Sequence, residues 1–70
     1  MAAPAKKFRI GNVTVNVWKN EGTDRPFYTV DVQRSYKEGD DWKNTTSLNA
    51  ADLLNTAHLL GQANAWIMEQ

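Results

Sequence analysis

Few side chains in this chain can do covalent or metal chemistry. His58 is the single histidine, and cysteine is absent. A nucleophile–base–carboxylate set needs its base held beside both partners. Helical periodicity instead puts His58 on the solvent side of a C-terminal helix, where an exposed imidazole is an ordinary polar residue. Asp40 and Asp41 form an adjacent carboxylate pair, but they follow Gly39 in a turn, where Asp is favoured for backbone reasons alone. Any metal ligands would be carboxylates only, at a spacing that matches no ion-binding loop. Glu21-Gly22-Thr23 lacks the Gly-rich cradle and the lysine of a phosphate loop. These patterns predict a protein that is not an enzyme and holds no metal and no cofactor.

A second group of residues suits binding. Trp18 and Phe27 are large rings in segments that otherwise alternate apolar and polar residues. Lys7, Arg9, Lys19, Arg25 and Lys43 lie in or beside the same segments. Rings flanked by hydroxyls, amides and cations are how a sheet holds single-stranded nucleic acid. Each base–ring stack is worth ~1–3 kcal/mol and tolerates any base. Two facing rings can also simply stabilise a strand pair, by ~0.2–1 kcal/mol.

Which reading applies depends on the elements that carry these residues. Phe8 and Ile10 alternate with Arg9; Val13, Val15 and Val17 alternate with Thr14 and Asn16. The apolar parity flips across Gly11-Asn12. A two-residue hairpin explains the flip, with Ile10 facing Val13 and Phe8 facing Val15, and Gly at the first central position suits a type II′ turn. A bulge in one long strand is the alternative. Residues 20–26 form a loop by composition. Tyr28, Val30 and Val32 then alternate with Thr29, Asp31 and Gln33, in a strand expected to run to about Tyr36. Pairing Trp18 with Phe27 sets Val17 against Tyr28, Val15 against Val30 and Val13 against Val32, so every apolar pair shares a face. After a turn at residues 38–41, a fourth strand is expected over Trp42–Leu48, with Leu48 turned toward the helix.

The helix is expected over Ala50–Met68. Asn49 stands at its entrance as a cap, with Asp52 at the capping-box position and in the first turn, where the helix dipole favours negative charge. Leu53, Ala57, Leu60, Asn64 and Ile67 fall within about 40° of one line and form the expected core stripe. Leu59, Ala63 and Trp66 form a second apolar strip. That strip either wraps the sheet edge or meets another copy of the chain, and Leu59, Ala63 and Trp66 are the expected homodimer contacts. Gly61 implies close packing or a bend. The expected core is Phe8, Ile10, Val13, Val15, Val17, Tyr28, Val30, Val32, Leu48, Leu53, Ala57, Leu60 and Ile67.

The resulting fold class is α+β: a four-stranded antiparallel sheet followed by one C-terminal helix packed on one face, in the order ββββα. Residues 1–7 are expected to be a disordered arm and residues 8–70 a single domain. The two lysines of the arm are followed by no apolar run, so it does not read as a signal peptide. No apolar stretch is long enough for a transmembrane helix. The lack of cysteine fits a reducing compartment, and a cytoplasmic location is expected. Eight Lys and Arg balance eight Asp and Glu. A neutral chain is poorly suited to duplex DNA, which needs many phosphate contacts.

The stretch Val30-Asp31-Val32-Gln33-Arg34-Ser35-Tyr36, a polar turn, and Ser47-Leu48-Asn49 opening a helix at Ala50-Ala51-Asp52 together resemble the transcriptional positive cofactor 4 and Whirly group of single-stranded DNA-binding proteins. The likeness in element order spans Phe8–Met68. It implies a homodimer formed largely through the helices and single strands bound across the exposed sheets. The neutral charge and short, mildly basic arm depart from that group. The chain also looks like small uncharacterised prokaryotic proteins with a Phe-Arg-x-Gly start and a Val-Trp-x-Asn-Glu stretch, here Phe8–Gly11 and Val17–Glu21; that likeness implies no activity.

The expected binding face therefore carries Arg9 and Lys43 for phosphate, Trp18 and Phe27 for stacking, and Asn16, Thr29, Gln33 and Thr45 for hydrogen bonds. Asp31 in its middle counts against phosphate. The expected partner is single-stranded DNA or RNA, with no membrane and no small-molecule substrate. The alternative is a protein-interaction or structural module, with the Trp18/Phe27 patch or the Leu59/Trp66 strip as its contact surface.

Overall fold

A computed structural model describes residues 3–70. Four strands, β1 (Lys6–Ile10), β2 (Val13–Asn20), β3 (Phe27–Glu38) and β4 (Asp41–Thr45), precede a 3-10 turn at Ala50–Asp52 and a helix, α1, over Leu53–Met68. The sheet is antiparallel in the order β1-β2-β3-β4, and the ββββα layout is the one expected. The expected arm is shorter than residues 1–7, because Lys6 and Lys7 already pair in β1 and the Ala5 N–H donates to the Val17 carbonyl at 2.8 Å. Met1 and Ala2 of that arm lie outside the described residues.

The first hairpin closes as the parity flip required, with Ile10 opposite Val13 and Phe8 opposite Val15. Gly11 has φ +58° and Asn12 is not left-handed, which is the type II′ arrangement. Gly39, at φ +62°, repeats the device between Glu38 and Asp41.

One register and the extent and facing of one strand differ from expectation. Between β2 and β3, Val15 faces Val32, Val17 faces Val30 and Trp18 faces Thr29, a shift of two residues. A two-residue slip keeps every side chain on its own face, so the apolar pattern cannot exclude it. In β4 the strand ends at Thr45 rather than continuing to Leu48. Leu48 still packs against the core, but from outside the strand, so its orientation says nothing about strand parity. Lys43 and Thr45 consequently face the helix side of the sheet, and Trp42 and Asn44 face the other.

The helix is rotated by about one residue's step from the expected phase. Its buried line is Thr56, Leu59 and Ala63, with Trp66 and Ile67 beside it. These meet Val13, Val15 and Val17, which have no exposed surface. Of the expected stripe, Leu53, Ala57, Leu60 and Asn64 face outward and only Ile67 packs against the core, and Leu54 is 86% exposed. Ala63 and Leu59 share one buried cluster with the three valines, and Thr56 is buried one turn before Leu59. Trp66 reaches Tyr28 edge-on, with ring centroids 5.8 Å apart. The buried Thr56 hydroxyl donates to the Asp52 carbonyl at 2.7 Å, so its burial leaves no polar atom unpaired. Arg34 fixes the entrance: its Nε donates to the Ser47 carbonyl at 2.9 Å and stands 3.8 Å from the Asp52 carboxylate. Asp52 in turn accepts the Asn49 N–H at 3.1 Å, as a capping-box partner does.

The helix packs chiefly on β1 and β2. The shape is long and thin, 46 × 28 × 14 Å, with a radius of gyration of 13.7 Å; a compact chain of this length would have about 11 Å. A Cβ built at Gly61 would meet nothing within 4 Å, so no close packing requires glycine there. Gly61→Ala is therefore expected to stabilise the fold by ~0.5–1 kcal/mol. A rise in the urea midpoint at unchanged m-value checks this; a fall would mean that Gly61 packs against something outside the single chain.

Candidate functional site

The uncovered face of the sheet is set by strand alternation. β1 contributes Lys7 and Arg9. β2 contributes Thr14, Asn16, Trp18 and Asn20. β3 contributes Phe27, Thr29, Asp31, Gln33, Ser35 and Lys37, and β4 contributes Trp42 and Asn44.

Its centre is a hydrogen-bonded cluster. Asp31 accepts the Trp18 indole N–H at 2.7 Å on one carboxylate oxygen and the Asn16 amide N–H at 2.9 Å on the other. Bonds to a charged acceptor are short and strong, and they disperse the carboxylate's charge. Asp31 thus serves the sheet internally, while its negative charge stays on the open face. Asn16 is only 7% exposed, and its amide oxygen is buried without a partner. The Asp31 carboxylate, itself fixed by the Asn16 amide, holds the half-buried Trp18 side chain in place.

The expected site residues divide accordingly. Arg9, Trp18, Phe27, Thr29 and Gln33 share the open face. Arg9 donates to the Gly11 carbonyl at 2.9 Å, and Thr29 accepts from the Asn20 amide at 3.1 Å. Phe27 is 53% exposed but pairs with Asn20, two residues along from the expected partnership with Trp18. Asn16 is corrected from a ligand contact to a buried support. Lys43 and Thr45 are corrected to the opposite side: Lys43 stands 3.5 Å from Glu38, and the Thr45 hydroxyl accepts the Ser47 N–H at 3.1 Å. Gln33, Asn44, Thr45 and Thr46 line a shallow polar depression where β4 leaves the sheet. The expected dimer contacts are also corrected. Leu59 and Ala63 are each 1% exposed within one chain, and Trp66 is partly buried against Tyr28, so this strip is core.

Trp42 and Lys37 were not among the expected contacts. Trp42 is 66% exposed and pairs with Lys37 on the open face. The signal for them is Gly39-Asp40: a two-residue turn sets Glu38 against Asp41 and therefore Lys37 against Trp42. Among the described residues, no group of three or more acidic or imidazole side chains is placed to hold a metal ion, and no helix is long and apolar enough to cross a membrane.

No protein-family model matches the chain, and no curated protein and no solved structure matches it.

Proposed function

We propose that this protein is a non-enzymatic, cytoplasmic, single-stranded nucleic-acid-binding protein that acts as a homodimer and uses the sheet face opposite the helix. One observation carries the reading: the open face sets Lys7, Arg9 and Lys37 against the single carboxylate of Asp31, beside three aromatic rings. Lys7, Arg9 and Lys37 are exposed on the open face together with Phe27 and Trp42, beside the half-buried Trp18, and the carboxylate on that face, Asp31, accepts two N–H donors. On the helix side the charges balance: Lys6, Lys19, Arg34 and Lys43 stand with Glu38, Asp41, Asp52 and Glu69, and Arg34–Asp52 and Lys43–Glu38 pair directly. Rings stack bases and flanking cations meet phosphates, without base selection. The element order is that of the single-strand-binding group the sequence resembles, and the absence of cysteine accords with a reducing cytoplasm.

Fluorescence anisotropy with a labelled single-stranded oligonucleotide at two salt concentrations tests the proposal. Binding should weaken with salt. Lys37→Ala should reduce the magnitude of the log–log salt slope by ~0.7, the value for one phosphate contact to a single strand. Lys43→Ala should leave the slope unchanged. An equal loss for both variants would remove the face assignment. The exposed helix residues Leu53, Leu54, Leu60 and Met68 favour a second reading, a protein-interaction module. No oligonucleotide binding at low salt would leave that reading in place of the first.

A further inference from the structure

We infer that the free edge of β3, from Tyr28 to Val32, pairs with the same edge of a second copy of the chain. The inference rests on the homodimeric reading above and names its interface. Backbone hydrogen bonds in an antiparallel pair point alternately to one side and the other. The two-residue turn at Gly39-Asp40 makes Glu38–Asp41 a bonded pair, so even-numbered residues of β3 direct their N–H and C=O groups toward β4. Ser35 agrees, since its N–H donates away from β4, to the Asn12 carbonyl at 2.8 Å. Tyr28, Val30 and Val32 therefore direct their groups to the β4 side, but β4 reaches back only as far as Arg34. Among the described residues, no backbone or side-chain hydrogen bond fills the gap.

Open edges are normally defended by charge or proline. β1 carries Lys6, Lys7 and Arg9, and β4 carries Asp41 and Lys43. The Tyr28–Val32 edge has Asp31 alone, and that carboxylate is turned inward to Asn16 and Trp18. Val30 on this edge is 39% exposed. A second copy supplies the matching strand. A two-fold axis through Val30 sets Val30 against Val30 and Tyr28 against Val32, apolar with apolar on the helix side, and bonds all three N–H groups of each copy. The second copy's Phe27 then meets Gln33, at the depression where β4 leaves the sheet.

Surface area also calls for a partner. The accessible surface is 5304 Å², about 900 Å² more than a compact monomer of 7.9 kDa would show. One partner's share of a standard interface is about 800 Å². The outward helix face is apolar too, but it carries nothing that fixes direction or register; the edge carries hydrogen-bonding groups that another strand satisfies.

Sedimentation equilibrium of the full chain at micromolar concentration should give twice the chain mass. Val30→Lys adds an edge charge at an already exposed site and should weaken the dimer at least tenfold, with circular dichroism unchanged. Val30→Pro removes the central N–H and should act in the same direction. Leu54→Ser should leave the dimer intact. Amide exchange should show Tyr28 and Val32 protected in the wild type and unprotected in V30K. A monomer at micromolar concentration overturns both dimer and interface. A dimer broken by L54S and untouched by V30K overturns the edge alone, as do freely exchanging Tyr28 and Val32 amides in the wild-type dimer.

Discussion

Leu59→Ala is expected to remove a large share of the fold's stability. Leu59 is 1% exposed and meets a core of Val13, Val15, Val17 and Ala63. A buried Leu→Ala change costs ~2–5 kcal/mol through lost transfer energy and the cavity left behind. A chain of this length has only about 3.5–10 kcal/mol of stability. The cavity would open in the middle of the helix–sheet contact, and the surrounding residues are small or β-branched, so the site has little with which to collapse. Leu54→Ala, on the outward face at 86% exposure, should change stability by less than ~0.5 kcal/mol. Urea denaturation of both variants decides between the two helix phases. A large loss for Leu54 with a small one for Leu59 would return the core to the line through Leu53 and Leu60.

The second large effect is on binding. Trp18→Ala is expected to raise the Kd for a single-stranded oligonucleotide about 5- to 150-fold, the loss of one stack worth ~1–3 kcal/mol. The indole N–H is committed to Asp31 at 2.7 Å, so the ring offers a ligand its π surface and no donor. Trp18→Phe should therefore keep most of the affinity, because a benzene ring still stacks. The same substitution loses the bond to Asp31, so it should lower stability modestly, by ~1 kcal/mol. Binding and stability are thus expected to separate: the alanine variant loses both, the phenylalanine variant mainly stability. An alanine variant that stays folded with unchanged affinity would remove Trp18 from the interface. A phenylalanine variant as weak as alanine would mean that the indole N–H, not the ring, is what matters.

Strand existence, the hairpin at Gly11-Asn12 and the ββββα order were legible in the sequence because each rests on local physics. Alternation fixes which residues share a face of one strand, and a glycine at φ +58° fixes the turn. Val13, Val15, Val17 and Ile10 could be assigned to the covered face from pattern alone. Three choices were out of reach of that pattern. The β2–β3 pairing slid by two residues, a move that changes no side chain's face and so moves Trp18 from Phe27 to Thr29 unseen. β4 stopped at Thr45, so Leu48 could not report the parity of Lys43 and Trp42.

The helix offered two apolar strips, and periodicity fixes the angle between them without saying which turns inward. Tertiary structure decided that through the burial of Leu59 and Ala63 against the valines, the Trp66–Tyr28 contact, and the tether from Arg34 to Asp52. The candidate site shows the same division. Residue types predicted a platform of rings and cations. Its members and the role of Asp31 depend on cross-strand neighbours, which only the register of the folded sheet supplies.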